Sequence, residues 1–126
     1  MSRPVLEPSA KHPITIEPTE GRVVVRIGDR VVADSRHALT LQESTYRAVQ
    51  YIPIADVDAG VLRRTDTSSY CPFKGDASYY SVETPDGTVD DVIWTYEKPY
   101  AAVSEIADHL AFYPDRAELT VDPTSA

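Results

Sequence analysis

A period of two governs this chain. Val23-Val24-Val25-Arg26-Ile27 and Val31-Val32-Ala33-Asp34-Ser35 are two runs rich in β-branched residues on either side of Gly28-Asp29. Branched side chains fit a pleated surface and are cramped on a helix. A Gly-Asp pair between two such runs supplies the corner of a hairpin. The alternation recurs over Ala38-Leu39-Thr40-Leu41-Gln42, with Leu39 and Leu41 on one face and Thr40 and Gln42 on the other. Ile14 and Ile16 alternate with Thr15 and Glu17 ahead of Pro18, and Val49-Gln50-Tyr51-Ile52 reads as a strand stopped by Pro53. Residues 77–83 and Val92-Ile93-Trp94-Thr95-Tyr96 flank Thr84-Pro85-Asp86-Gly87-Thr88, where proline presets φ and glycine accepts a positive one, predicting a second hairpin. Leu110-Ala111-Phe112-Tyr113 and Ala117-Glu118-Leu119-Thr120-Val121 close the pattern around Pro114-Asp115.

Three segments break the alternation. Asp56 is suited to cap one helical turn over residues 57–62. Arg64-Thr65-Asp66-Thr67-Ser68-Ser69 reads as a polar loop, and Val103, Ile106, Ala107 and Leu110 share a helical face of two turns. Residues 1–13, with Pro4, Pro8 and Pro13, are expected to form a flexible arm, residues 123–126 a tail, and residues 14–122 a single β-rich domain. About eight short strands and a small helix amount to a mainly β, compact, antiparallel fold.

Composition narrows the function. A single cysteine excludes an internal disulfide and a cysteine-based zinc cluster. A net charge of -8 opposes binding to a nucleic-acid polymer or to anionic lipid. No apolar run after Met1 suggests a secretory leader, and none approaches the roughly 20 residues of a membrane span, so a cytoplasmic location is expected. Eight tyrosines against two phenylalanines favour half-buried positions with wet tips, the usual lining of a pocket.

The residues with chemistry to offer gather around Tyr70-Cys71-Pro72-Phe73-Lys74-Gly75-Asp76-Ala77-Ser78-Tyr79-Tyr80. Lys74, between a proline turn and a glycine, suits an anionic ligand, or it pairs with Asp76 or Glu97. It is not a P-loop lysine, because the second glycine and the following Ser/Thr are missing. Cys71 has a cation three residues away but no histidine near it in sequence, since His12, His37 and His109 are all distant; a structural role is the simpler one. Glu43, where an alternating run ends, is a candidate general base or hydroxyl acceptor. Trp94 and Tyr96 fall on one strand face, and with Tyr51 they would make an aromatic wall that Tyr79 could close. Arg64 is a candidate second cation. Asp56 and Asp58, spaced i, i+2, would be the pair for metal-dependent nucleotidyl transfer if the segment were extended.

Five motifs in order also resemble a known family. They are Val32-Ala33-Asp34-Ser35; Tyr51-Ile52-Pro53 with Asp56-Val57; residues 70–79; Trp94-Thr95-Tyr96-Glu97-Lys98-Pro99-Tyr100; and Ala111-Phe112-Tyr113-Pro114. Over roughly residues 12–121 the chain is similar to the family catalogued as domain of unknown function 427, also labelled nucleotidyltransferase-like. The resemblance implies a single β domain of tent-like architecture, related in shape to domains that bind zinc through paired CxxC motifs. This chain has no such motif, so zinc does not carry over. It also implies functional weight at Glu43, at Cys71 to Gly75, and at Trp94 and Tyr96. Ile54-Ala55 replaces a pair that is often charged, and Asp108 stands where glycine is common, which is expected to alter one turn.

The leading expectation is a pocket for an anionic or nucleotide-like small molecule. Lys74 would be the anion contact, assisted by Arg64; Glu43 the base or acceptor; and Tyr51, Cys71, Tyr79, Trp94 and Tyr96 the lining. A non-catalytic interaction module and a metal-dependent nucleotidyltransferase are the alternatives. Reaction, cofactor and oligomeric state stay open.

Overall fold

Ten strands and three short 3-10 segments form in a computed structural model that describes residues 4–122. The strands are β1 (Ile14–Pro18), β2 (Arg22–Ile27), β3 (Arg30–Ser35), β4 (Leu39–Glu43), β5 (Val49–Pro53), β6 (Leu62–Cys71), β7 (Gly75–Thr84), β8 (Gly87–Thr95), β9 (His109–Phe112) and β10 (Glu118–Asp122). A seven-stranded sheet runs β1-β4-β5-β9-β8-β7-β6, and a three-stranded sheet runs β10-β2-β3. Every pairing is antiparallel. Among the described residues no helix is long and apolar enough to cross a membrane.

Both expected hairpins form. Gly28, at φ +61°, turns β2 into β3. Thr84 pairs with Gly87 across Pro85-Asp86, and its hydroxyl donates to the Gly87 carbonyl at 2.8 Å.

Alternation within the large sheet produces two cores. Ile52 on β5, Ile93 on β8, and Leu110 and Phe112 on β9 face the small sheet, where they join Val23, Val25, Ile27 and Val32. Burying each such side chain is worth about 1.5–3 kcal/mol. Their neighbours Tyr51, Trp94 and Ala111 point to the opposite face, against Leu41, Ala77, Tyr96, Val103 and Ile106. The second face carries the candidate site.

Three expectations need correction. Residues 64–69 are not a loop but the middle of β6, an edge strand whose register shifts between Arg64 and Ser68. An edge strand with little burial shows no apolar period, so the run looked like a loop. The hydroxyls of Thr65 and Thr67 donate to the Asp91 carboxylate at 2.7 and 2.6 Å, tying the irregular stretch to β8.

The helix over residues 103–110 is a 3-10 segment, Ala101–Ile106, with non-helical dihedrals at Val103. Asp108 adopts φ +61°, which ends the segment and releases Leu110 into β9. That φ belongs to the left-handed region favoured by glycine and tolerated by aspartate. The substitution expected to alter this turn therefore retains it. Finally, Asp58 rather than Asp56 acts as a cap, with Oδ1 accepting from the Gly60 amide at 3.0 Å ahead of Ala59–Val61. Val57 is extended and bridges to Ala33.

Candidate functional site

The turn joining β6 to β7 is the hub of the site. Cys71 pairs with Gly75, the Lys74 amide donates to the Cys71 carbonyl at 3.2 Å, and Gly75 takes φ +111°. A Cβ at Gly75 would meet the Lys98 carbonyl oxygen at 3.4 Å. Held in this way, Lys74 turns inward, and its side chain is only 9% exposed. Its ammonium meets Glu43 Oε1, at the end of β4 and distant in sequence. Glu43 Oε2 accepts from His12 Nε2 at 2.7 Å when that nitrogen carries the proton. Of the partners foreseen for Lys74, Glu97 is engaged elsewhere, pairing with Arg64 at 3.0 Å.

Burial acts to raise the Glu43 carboxyl. The hydrogen bonds from Lys74 and then His12 outweigh it and hold the group below the usual carboxylate range. An ammonium has three donors. Glu43 takes one and Cys71 Sγ, at 3.7 Å, weakly engages a second.

His12 reaches Glu43 because the N-terminal arm lies against the β6–β7 turn. Its ring stacks on Phe73, with centroids 4.2 Å apart and planes 10° apart. The Leu6 amide donates to the Pro72 carbonyl at 2.9 Å, and the Tyr70 hydroxyl donates to the Pro4 carbonyl at 2.6 Å.

Above the Lys74–Glu43 pair is a cleft of about 250 Å³. Tyr51, Tyr79, Trp94 and Tyr96 all line it, with Tyr113 beside them. Tyr79 and Trp94 are direct cross-strand partners. Trp94 Nε1 donates to the Tyr51 hydroxyl at 3.2 Å, and the two rings meet edge to face at 87°. On its other side Trp94 tilts against Tyr113 at 4.5 Å. Tyr96 is 8% exposed, and its hydroxyl has no partner among the described residues. Burial raises the phenols of Tyr51 and Tyr96 well above the ordinary tyrosine value. Burial, followed by the neighbouring Tyr79 hydroxyl, pushes Tyr113 up to about 12. All three are therefore neutral donors at ordinary pH.

The fold thus brings together Glu43, Tyr51, Lys74, Tyr79, Trp94 and Tyr96, with Cys71 against the lysine. Arg64 does not join them. It pairs with Glu97, donates to Ser78 Oγ at 2.9 Å and lies over Tyr80. Nor do the two aspartates: Asp56 accepts from Ser35 Oγ at 2.6 Å, and Asp58 pairs with Arg30 at 2.9 Å. Among the described residues no group of three or more His, Cys, Asp or Glu is disposed to hold a metal ion. The two aspartates foreseen for a divalent ion are thus engaged with separate partners, and neither lines the cleft.

Sequence reasoning missed His12, Tyr46, Arg47 and Tyr113. Arg47 lines the cleft from the loop between β4 and β5, is exposed, and has no partner among the described residues. That loop joins the strands bearing Glu43 and Tyr51, a signal that could have drawn attention to it. Tyr113, two positions beyond Ala111, shares its face by simple alternation. Nothing local announces His12.

A family model described as domain of unknown function (DUF427) matches residues 15–123. No curated protein matches the chain.

Proposed function

The chain belongs to the DUF427 family, and from that premise we propose that it binds a small planar molecule carrying a negative charge, in the cleft over Lys74 and Glu43. The aromatic ring of the ligand would lie against Trp94 and Tyr51. Arg47 would meet its charge at the mouth, and the remaining Lys74 N–H would reach it from the floor. Glu43 and the Tyr96 hydroxyl would read its polar edge.

One observation carries this reading. Two polar groups of the cleft wall have no partner among the described residues, the Tyr96 hydroxyl and the exposed Arg47 guanidinium, and both are open to solvent. A donor on the wall of a concavity that the protein itself does not engage is available to a ligand atom. An interaction module would present Lys74 and Glu43 on a convex surface, whereas both are largely buried in a concavity. Binding also has more support than acid–base chemistry. A carboxylate held below its usual range is a weak base near neutrality.

Thermal-shift titration with phenyl phosphate and with nucleoside 5′-monophosphates tests the proposal. The native protein should be stabilised by at least one of them, and Arg47→Ala should bind it about ten-fold or more weakly, since a charge-assisted hydrogen bond is worth about 1.5–3 kcal/mol. Arg47 is exposed and makes no contact that folding needs. Absence of any shift, or equal shifts in both proteins, would overturn the reading.

A further inference from the structure

A second concavity adjoins the first. It has a volume of about 450 Å³ and is lined chiefly by Val49, Trp94, Phe112, Pro114, Leu119 and Val121. Arg47, Val49 and Trp94 line both spaces, so the two concavities are adjacent and Arg47 belongs to each. Among the described residues Arg47 is the only charged side chain that lines this groove, and no acid contributes to it. In a chain with 20 acidic residues and a net charge of -8, an acid-free apolar groove opening beside an unpaired guanidinium is unusual ground.

The groove is built by the C-terminal part of the chain. β10 adds to β2 at the edge of the small sheet, bringing Leu119 and Val121 beside the large sheet at Phe112. Val121 is 44% exposed, so part of this apolar surface faces solvent. The polar groups within reach are already engaged: Gln50 bonds Thr19 and Thr40. An occupant would therefore find hydrocarbon and one cation here, and little else to hydrogen-bond.

We infer that the ligand of the cleft is an anionic amphiphile, whose ring occupies the tyrosine-lined cleft, whose charge rests at Arg47, and whose apolar substituent fills the Val49–Trp94–Leu119–Val121 groove. This rests on the proposed function and extends it: the cleft specifies a planar head, Arg47 a negative charge, and the groove a hydrocarbon body. The adjacency of the two spaces, with three lining residues in common, lets one ligand reach both. A carboxylate and a phosphate ester share the required charge, and the phosphate ester gives the simpler probe, because it can carry a ring on one oxygen and an alkyl chain on another.

Methyl, butyl and hexyl phenyl phosphate bear the same single charge and the same ring. By calorimetry or ligand-observed NMR, affinity should rise about ten- to fifty-fold from methyl to butyl, since a fully buried methylene is worth about a factor of three to four. Hexyl phenyl phosphate should also shift the methyl resonances of Leu119 and Val121, which methyl phenyl phosphate should leave in place. Val121→Asn, at the exposed rim, should lower the affinity for the hexyl ester several-fold and leave the methyl ester within about two-fold. If the methyl ester binds and the longer esters bind no better, the groove is not part of the site and this inference falls while the proposed function stands. If none of the three binds while phenyl phosphate or a nucleoside 5′-monophosphate does, this inference falls and the proposed function stands; if none of these binds either, both fall.

Discussion

Replacing Lys74 with methionine tests the arrangement at its centre. The methionine keeps most of the stem and removes the charge. Glu43, whose side chain is 14% exposed, would then retain only His12 at 2.7 Å. Removing one member of a buried ion pair costs about 3–5 kcal/mol, because the other charge is stranded. The residual exposure and the His12 bond reduce this, so Lys74→Met should cost about 2–3 kcal/mol near neutral pH, or about 10 °C in Tm for a domain of this size.

Glu43→Gln alone should cost less. Combining the two changes removes both charges together, and paired neutral replacements are often close to silent, so the double variant should lie within about 1 kcal/mol of the native protein. Urea unfolding of the four proteins closes the cycle, with an expected coupling of about 2 kcal/mol.

The pH dependence gives a second check. In the native protein the Glu43 carboxyl is held low, so its contribution is fully present above the ordinary carboxylate value of about 4.3 and is lost as pH falls through the lower folded value. In Lys74→Met, burial is no longer opposed by the ammonium and the carboxyl moves up. Protonation then relieves the stranded charge, and the deficit of the variant should shrink below about pH 5. Additive single costs, with coupling under about 0.5 kcal/mol, or a deficit that does not change with pH, would refute the reasoning.

Gly75→Ala should destabilise by about 1–3 kcal/mol, because φ +111° is strained for alanine, whose Cβ would lie 3.4 Å from the Lys98 carbonyl oxygen; chemical denaturation measures it. His12→Ala removes the ring stack on Phe73 and one Glu43 hydrogen bond, and should cost about 1–2 kcal/mol while speeding protease cleavage of the arm ahead of global unfolding. In a spectrophotometric titration Tyr113 should ionise near pH 12, and Tyr51 and Tyr96 only once the protein unfolds in alkali; ionisation of all eight tyrosines near pH 10 would contradict the burial of these rings.

Much of the fold was legible because alternation is a local signal. Val23 to Ser35 and residues 77–96 announced their hairpins through side-chain period and corner residues alone. The signal failed where neither face of a strand is deeply buried, as in residues 64–69, and where apolar spacing is shared by two elements, as for Val103 and Leu110. The site was legible in its strand-borne members. Trp94 and Tyr96 had to share a face, and Glu43 and Lys74 stood out at the ends of regular segments. Arg64 illustrates the limit: as a cation close in sequence to the turn it looked available, but Glu97 holds it elsewhere.

The sequence by itself determined most of the strands, the two principal turns and the inward or outward sense of most side chains. These depend on steric preferences and burial over a few residues. Only the tertiary structure decided which strands became neighbours. The order β4-β5-β9-β8-β7 sets Glu43, Tyr51, Trp94 and Tyr79 side by side, and the β6–β7 turn then swings Lys74 beneath them. The same packing leads His12 from the arm onto Glu43 and leaves Arg47 unpaired at the cleft mouth. Such meetings join residues tens of positions apart, and the free energy that selects them comes from burying two sheet faces at once. No local pattern encodes that sum.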